Sequence, residues 1–170
     1  MRIDAGLDTG DMLLRAETAI GPEENAVELG ARLAQMGADL LVETLARIEE
    51  IVPEKQNHAE ATLAPILKKE DGRIDFTQSA QTIHNRIRGF QPWPGGYTRF
   101  RGQTLNIWKS RVAADAVELG TLVRAGRRVL AGCGEGSIEL VEVQLEGKKR
   151  MAAEAFANGQ RLTDTEALGD

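Results

Sequence analysis

Three carboxylates stand close together at the start of the sequence: Asp4, Asp8 and Asp11, in Met1-Arg2-Ile3-Asp4-Ala5-Gly6-Leu7-Asp8-Thr9-Gly10-Asp11. Gly10 lets the backbone bend, and Thr9 can hydrogen-bond locally, so the turn can aim one carboxylate into a pocket while the others point elsewhere. Asp-Thr-Gly is also the triplet with which aspartic proteases hold a water between two carboxylates sharing one proton. That chemistry needs a second catalytic Asp, in a similar turn or from a second subunit, and no second Asp-Thr-Gly occurs in this sequence; Asp11 also stands directly behind Gly10, where those enzymes usually place a small residue. Taken alone, the stretch reads as a strand ending in a glycine-supported turn with Asp8 and Asp11 solvated.

Two basic clusters could serve a polyanion. Lys68 and Lys69 with Arg73 form one, and Lys148, Lys149 and Arg150 the other, with Arg86, Arg88, Arg99, Arg101, Lys109 and Arg111 between them. A fold that gathered these would offer a path for a phosphate backbone. Gly132-Cys133-Gly134-Glu135-Gly136 looks like a phosphate-binding loop, but such a loop must open a helix. The next residues, Ser137 to Val143, alternate like a strand, so a hairpin turn is expected. Cys133 reads as an inert core thiol. His58, His84 and Cys133 have no metal-ligand spacing, so no metal is expected.

Composition narrows the class. Of the 170 residues 42% are hydrophobic but only 4% aromatic, which predicts a core of Leu, Val, Ile and Ala. A single cysteine cannot form an internal disulfide, and no apolar run approaches a membrane span. A soluble, cytoplasmic monomer without a leader is expected. The net charge of −5 is unevenly spread: residues 1–67 carry −8, residues 68–151 carry +6 and residues 152–170 carry −3. A basic middle in an acidic chain suggests a polyanionic partner.

The elements that must position these groups follow from spacing. Met12 to Ile20 reads as a strand, ended by Gly21-Pro22. Asn25-x-x-Glu28 fits a capping box that opens a long helix, with apolar residues at 26, 29, 33, 36, 40, 41, 45 and 48. That apolar face needs a partner which this short strand alone does not supply. Residues 51–70, with Pro53 and Pro65, read as a linker. A second helix is predicted from Gln78 to Gly89. Strands are predicted at 97–101, 104–112, 120–125, 128–131 and 137–145, and a short helix at 152–157. Five short strands with one leading helix suggest a small, partly open OB-like barrel over 71–163, followed by a tail at 164–170. The fold class expected is α+β.

Met1 to Met12 resembles the catalytic turn of folate-dependent formyltransferases, close to M-x-x-D-x-G-L-D-T-G-D-M. Further segments match in order: Gly72-Arg73-Ile74-Asp75-Phe76, Ile87-Arg88-Gly89-Phe90-Gln91-Pro92-Trp93-Pro94-Gly95, Leu105-x-Ile107-Trp108-Lys109 and Val143-Gln144-x-Glu146-Gly147-Lys148-Lys149-Arg150-Met151. Together they resemble the C-terminal portion of the methionyl-tRNA formyltransferase family, from residue 1 to about 160. The early motifs are shared with enzymes acting on amino-sugar nucleotides, and Glu146 to Met151 points to the tRNA branch.

The resemblance implies transfer of a formyl group from 10-formyltetrahydrofolate, a co-substrate, to the methionyl amine of initiator tRNA. It implies that Asp8 is catalytic, that Ala5, Gly6, Leu7, Asp8 and Thr9 border the pterin, and that the barrel meets tRNA. On the barrel Lys68, Lys69, Arg73, Lys148, Lys149 and Arg150 are the expected tRNA-binding residues. Family enzymes also use an Asn and a His from an N-x-H segment, and none precedes Asp8 here. Residues 1–50 are therefore expected to be the C-terminal remnant of an α/β catalytic domain (a short strand plus a long helix), and the chain alone to be inactive. The alternatives are the C-terminal portion of a sugar-nucleotide formyltransferase and a non-catalytic nucleic-acid-binding barrel.

Overall fold

Ser137–Leu145 is the central strand of the sheet: Ile138 and Leu140 point inward, and after an irregularity in its pairing opposite Lys109 the inward side changes phase to Val143 and Leu145. In a computed structural model, which describes residues 1–162 and 165–169, the chain divides into two units. The first comprises residues 1–22 and 27–66, the second residues 23–26 and 67–170.

The second unit is an antiparallel sheet curled around its core. The strands are β1 (Gly96–Phe100), β2 (Gln103–Ala113), β3 (Thr121–Ala125), β4 (Arg128–Gly132), β5 (Ser137–Leu145), β6 (Met151–Ala152) and β7 (Thr165–Ala167). Their order is β1-β2-β5-β4-β3-β7, with β6 on β5. Phe100 at the end of β1 bridges Leu168 just after β7, so the two edges meet. The Gly169 amide reinforces this by donating to the Arg99 carbonyl at 3.1 Å.

Two helices cover the interior. Helix α2 (Ala80–Gly89) starts where Ser79 Oγ accepts from the Thr82 amide at 3.2 Å. Its buried face is Ala80, Ile83, His84 and Ile87, one stripe at helical spacing. His84 Nδ1 lies 3.1 Å from Ser110 Oγ, and its Nε2 faces the Glu23 carboxylate at 3.8 Å. Helix α3 (Ala153–Gly159) inserts Phe156, whose ring meets Phe100 edge-on with centroids 5.1 Å apart. The 132–136 segment is a hairpin turn, as expected. It docks on residues 76–80: the Gly134 amide donates to the Phe76 carbonyl at 2.8 Å. A Cβ on Gly134 would lie 1.9 Å from the Thr77 carbonyl oxygen, which is why glycine stands there.

In the first unit helix α1 (Ala26–Ala46) agrees with the predicted long helix. Its apolar face is only partly covered: Leu33, Leu41, Leu45 and, just past its end, Ile48 are exposed, while Ala26, Leu29, Met36 and Leu40 are half-buried. The strand expected at 12–20 is not formed. Met12 makes a single antiparallel bridge to Glu54, and Leu13 to Ile20 have no ladder partner among the described residues. Residues 51–66, read as linker, group with the first unit. The expected boundary at 163 and 164 lies outside the described residues, but residues 165–167 of the expected tail form β7 on the sheet edge. β6 and β7 were missed because two or three residues are too few for any period to show.

Candidate functional site

The Asp8 turn is held by bonds made within the first unit. Asp4 Oδ1 accepts from the Gly6 amide at 3.0 Å and from Thr9 Oγ1 at 2.7 Å, so the Asp4 carboxylate closes the turn. The Arg2 amide donates to the Asp11 carbonyl at 2.8 Å. Gly10 is buried where these segments cross, and a Cβ there would lie 1.9 Å from the Arg2 carbonyl oxygen. Asp8 takes φ +53°, a left-handed conformation that Asp tolerates better than most residues.

The carboxylates of Asp8 and Asp11 make no hydrogen bond or ion pair to a described residue, and Asp8 is exposed. Geometry therefore sets Asp4 apart as structural, and distinguishes Asp8 from Asp11 by its left-handed backbone and greater exposure. Ala5, Gly6 and Leu7 are exposed beside it, and Thr9 is half-buried.

Gln56 is the residue that sequence reasoning missed. Its Nε2 donates to the carbonyls of Asp8 at 2.8 Å and Gly10 at 2.7 Å, so it straps the turn from a segment read as linker. A lone glutamine among prolines and charges carries no spacing signal. The Met12–Glu54 bridge, with amide-to-carbonyl distances of 2.8 and 2.9 Å, sets its register against the turn.

The basic clusters lie in the second unit. Lys68, Lys69, Arg73, Lys148, Lys149 and Arg150 are all exposed. Lys69 and the Glu146-Gly147 turn that precedes Lys148 line one surface pocket. Arg73 shares neighbouring pockets with Arg99 and with Arg86. Arg150 pairs with Glu142 at 2.5 Å, and its guanidinium stacks 4.8 Å above the Trp108 ring. Glu146, within this basic region, is held below the ordinary glutamate range, first by its bond from the Thr104 amide at 2.9 Å.

Cys133 is buried and its thiol is pushed up to about 11 by desolvation, which suits the inert role expected. Among the described residues no group of three or more His, Cys, Asp or Glu side chains is placed to hold a metal ion. No helix among them is long and apolar enough to cross a membrane.

Residues 66–161 match the family model described as formyl transferase, C-terminal domain. The chain belongs to the formyl transferase C-terminal domain family. The match covers the sheet from β1 to β6 with both of its helices, and so both basic clusters and the pocket beside them. Similarity to this family's members extends beyond the matched domain. The chain is 66% identical over its whole length to methionyl-tRNA formyltransferase of Solibacter usitatus, covering 56% of that protein. It is 57% identical over 99% of its length to methionyl-tRNA formyltransferase of Koribacter versatilis, covering 55% of it. The chain spans about half the length of the curated relatives it matches.

Solved structures share the fold of the formyl transferase C-terminal domain. HypX from Aquifex aeolicus superposes with a TM-score of 0.67 at 14% identity, over 96% of this chain and 30% of that one. An N-formyltransferase from Helicobacter canadensis, in complex with folinic acid and dTDP-3-aminofucose, gives 0.65 at 20% identity, over 81% and 52%.

Proposed function

We propose that this chain supplies the Asp8 turn and the RNA-facing sheet to a methionyl-tRNA formyltransferase of the bacterial cytoplasm. The reaction moves the formyl group of 10-formyltetrahydrofolate to the methionyl amine of initiator tRNA. The observation that carries this reading is identity of 66% running through the turn and the sheet together, to a relative named for that activity. The likeness to sugar-processing neighbours is one of fold at 20% identity, which gives the sugar-nucleotide alternative no comparable support.

The chemistry asks three things of the protein. The amine must be neutral to attack, the oxyanion formed on the formyl carbon must be stabilised, and the folate nitrogen must leave with a proton. Asp8 suits the proton-handling part, because its exposed carboxylate is not engaged by a described residue. Residues 5–9 are the share of the folate site that this chain brings. The Asn and His that the resemblance implies are assigned to the part of the relatives that this chain does not span. On this reading residues 1–50 complete a catalytic domain whose sheet covers the apolar face of α1, and the 170 residues alone do not turn over.

The test is to join this chain to the remaining part of the Solibacter usitatus relative. The joined protein should formylate Met-tRNA and leave an amino-sugar nucleotide unchanged, and the 170-residue chain should do neither. A joined protein that folds but formylates only the sugar nucleotide would contradict the proposal, as would turnover by the chain alone.

A further inference from the structure

The outward face of β1, β2 and β5 carries a row that no sequence motif marks. Tyr97 of β1 is the register partner of Asn106 of β2, and Asn106 is the register partner of Gln144 of β5. Residues directly opposite one another project to the same side of a sheet. Their chain neighbours Thr98, Leu105, Ile107 and Val143 are buried in the core, so the row faces outward, half-exposed. With Lys69, Pro94 and Thr104 these three line a surface pocket of about 330 Å³.

The members of the row differ in how far they are already engaged. Gln144 is fixed: its Oε1 accepts from Trp108 Nε1 at 3.0 Å and its Nε2 donates to the Lys148 carbonyl at 3.0 Å. The Asn106 carboxamide and the Tyr97 hydroxyl make no hydrogen bond to a described residue. A carboxamide offers a donor and an acceptor side by side, the pattern that a base edge answers. An aromatic face accepts any base by stacking, and an ammonium answers a phosphate.

We propose that this pocket takes one unpaired nucleotide of an RNA. The base lies against the Tyr97 ring, its edge meets the Asn106 carboxamide, and its phosphate faces Lys69. The proposal rests on the reading that this sheet meets tRNA, and adds to it a base-reading position where only phosphate binding was expected. Single-stranded RNA fits better than a duplex, because a paired base has no free face to stack and hides its edge. Arg73 and Arg99 line the adjoining pocket with Tyr97, so cationic surface continues along the strand path.

The 170-residue chain is titrated by fluorescence anisotropy with two labelled RNAs, an unstructured strand of roughly 12 nucleotides and a blunt duplex. Tyr97→Ala should weaken strand binding roughly 5- to 100-fold and leave the duplex unaffected, while Tyr97→Phe binds as the parent does. Asn106→Asp keeps the side-chain shape and should also weaken strand binding, because it replaces a donor with a charge that repels phosphate. Changing Lys148, Lys149 and Arg150 together to Ala should weaken both RNAs and lower the salt slope by about 0.7 to 0.9 for each phosphate that is no longer neutralised. Strand binding unchanged in both Tyr97→Ala and Asn106→Asp overturns the nucleotide pocket; a persisting effect of the triple variant then leaves the polyanion reading standing. Absence of binding to either RNA by the parent chain overturns both.

Discussion

Gln56 and Asp8 are joined by a bond that fixes the turn without touching the carboxylate. Gln56 Nε2 donates to the Asp8 carbonyl at 2.8 Å, and the same nitrogen reaches the Gly10 carbonyl at 2.7 Å. The backbone is thereby held at both sides of Thr9 while the acid group stays available.

Gln56→Ala should therefore act through position. Each hydrogen bond removed costs about 1 kcal/mol of local stability, and a displaced reacting group costs up to about 10²-fold in rate. Single-turnover formyl transfer by the joined protein should fall within that limit, with Met-tRNA affinity unchanged. A rate equal to the parent's would show that the turn holds its shape without Gln56.

Packing predicts unequal costs in the two units. Phe156 is 2% exposed and meets Phe100, whereas Leu41 on α1 is 58% exposed. Phe156→Ala should lower the unfolding free energy of the sheet unit by about 3–5 kcal/mol. Leu41→Ala should change stability by no more than about 0.5 kcal/mol. Urea titration followed by circular dichroism measures both. Amide exchange in residues 26–48 should be faster than in 104–112, because little packing guards α1. Comparable protection of the two segments would contradict this.

Acid should weaken the sheet unit at two ion pairs, Arg101–Glu166 where its edges meet and Arg128–Asp115 beside β4. The Glu166 carboxyl is held below its ordinary value of 4.5, first by its hydrogen bonds from Arg101, and Asp115 below 3.8, first by those from Arg128. Both values are lowered by folding, so unfolding takes up protons. The stability they contribute is complete above about pH 5 and is lost as pH falls through the lowered values. Glu166→Gln should flatten the dependence of Tm on pH in that range and leave it unchanged near neutrality beyond a constant offset. A parallel curve would remove Glu166 from the account.

Much of the second unit was legible because its periods are clean. Ile83 and Ile87 mark one helical face, and β5 has the expected limits 137–145, although its inward side changes phase between Leu140 and Val143, which the sequence did not show. The first unit was less so. Leu13 and Leu14 suggested a strand, but a strand exists only through a partner, and the nearest backbone, Glu54, supplies one bridge. The Asp8 turn was visible as residue types and spacing. Its strap from Gln56 was not, because a bond across 48 residues leaves no local pattern. The Tyr97–Asn106–Gln144 row was hidden for the same reason: register between strands that are distant in sequence is set by the fold.

The central claim, that Asp8 carries the chemistry of formyl transfer, is tested most directly by single-turnover formylation of Met-tRNA with the joined protein. Asp8→Asn and Asp11→Asn are made separately. A positioned acid–base group contributes about 10²–10⁴-fold, so Asp8→Asn should lose that much in rate with substrate binding intact, and Asp11→Asn far less. Equal losses in the two variants, or a near-normal rate for Asp8→Asn, would contradict the claim.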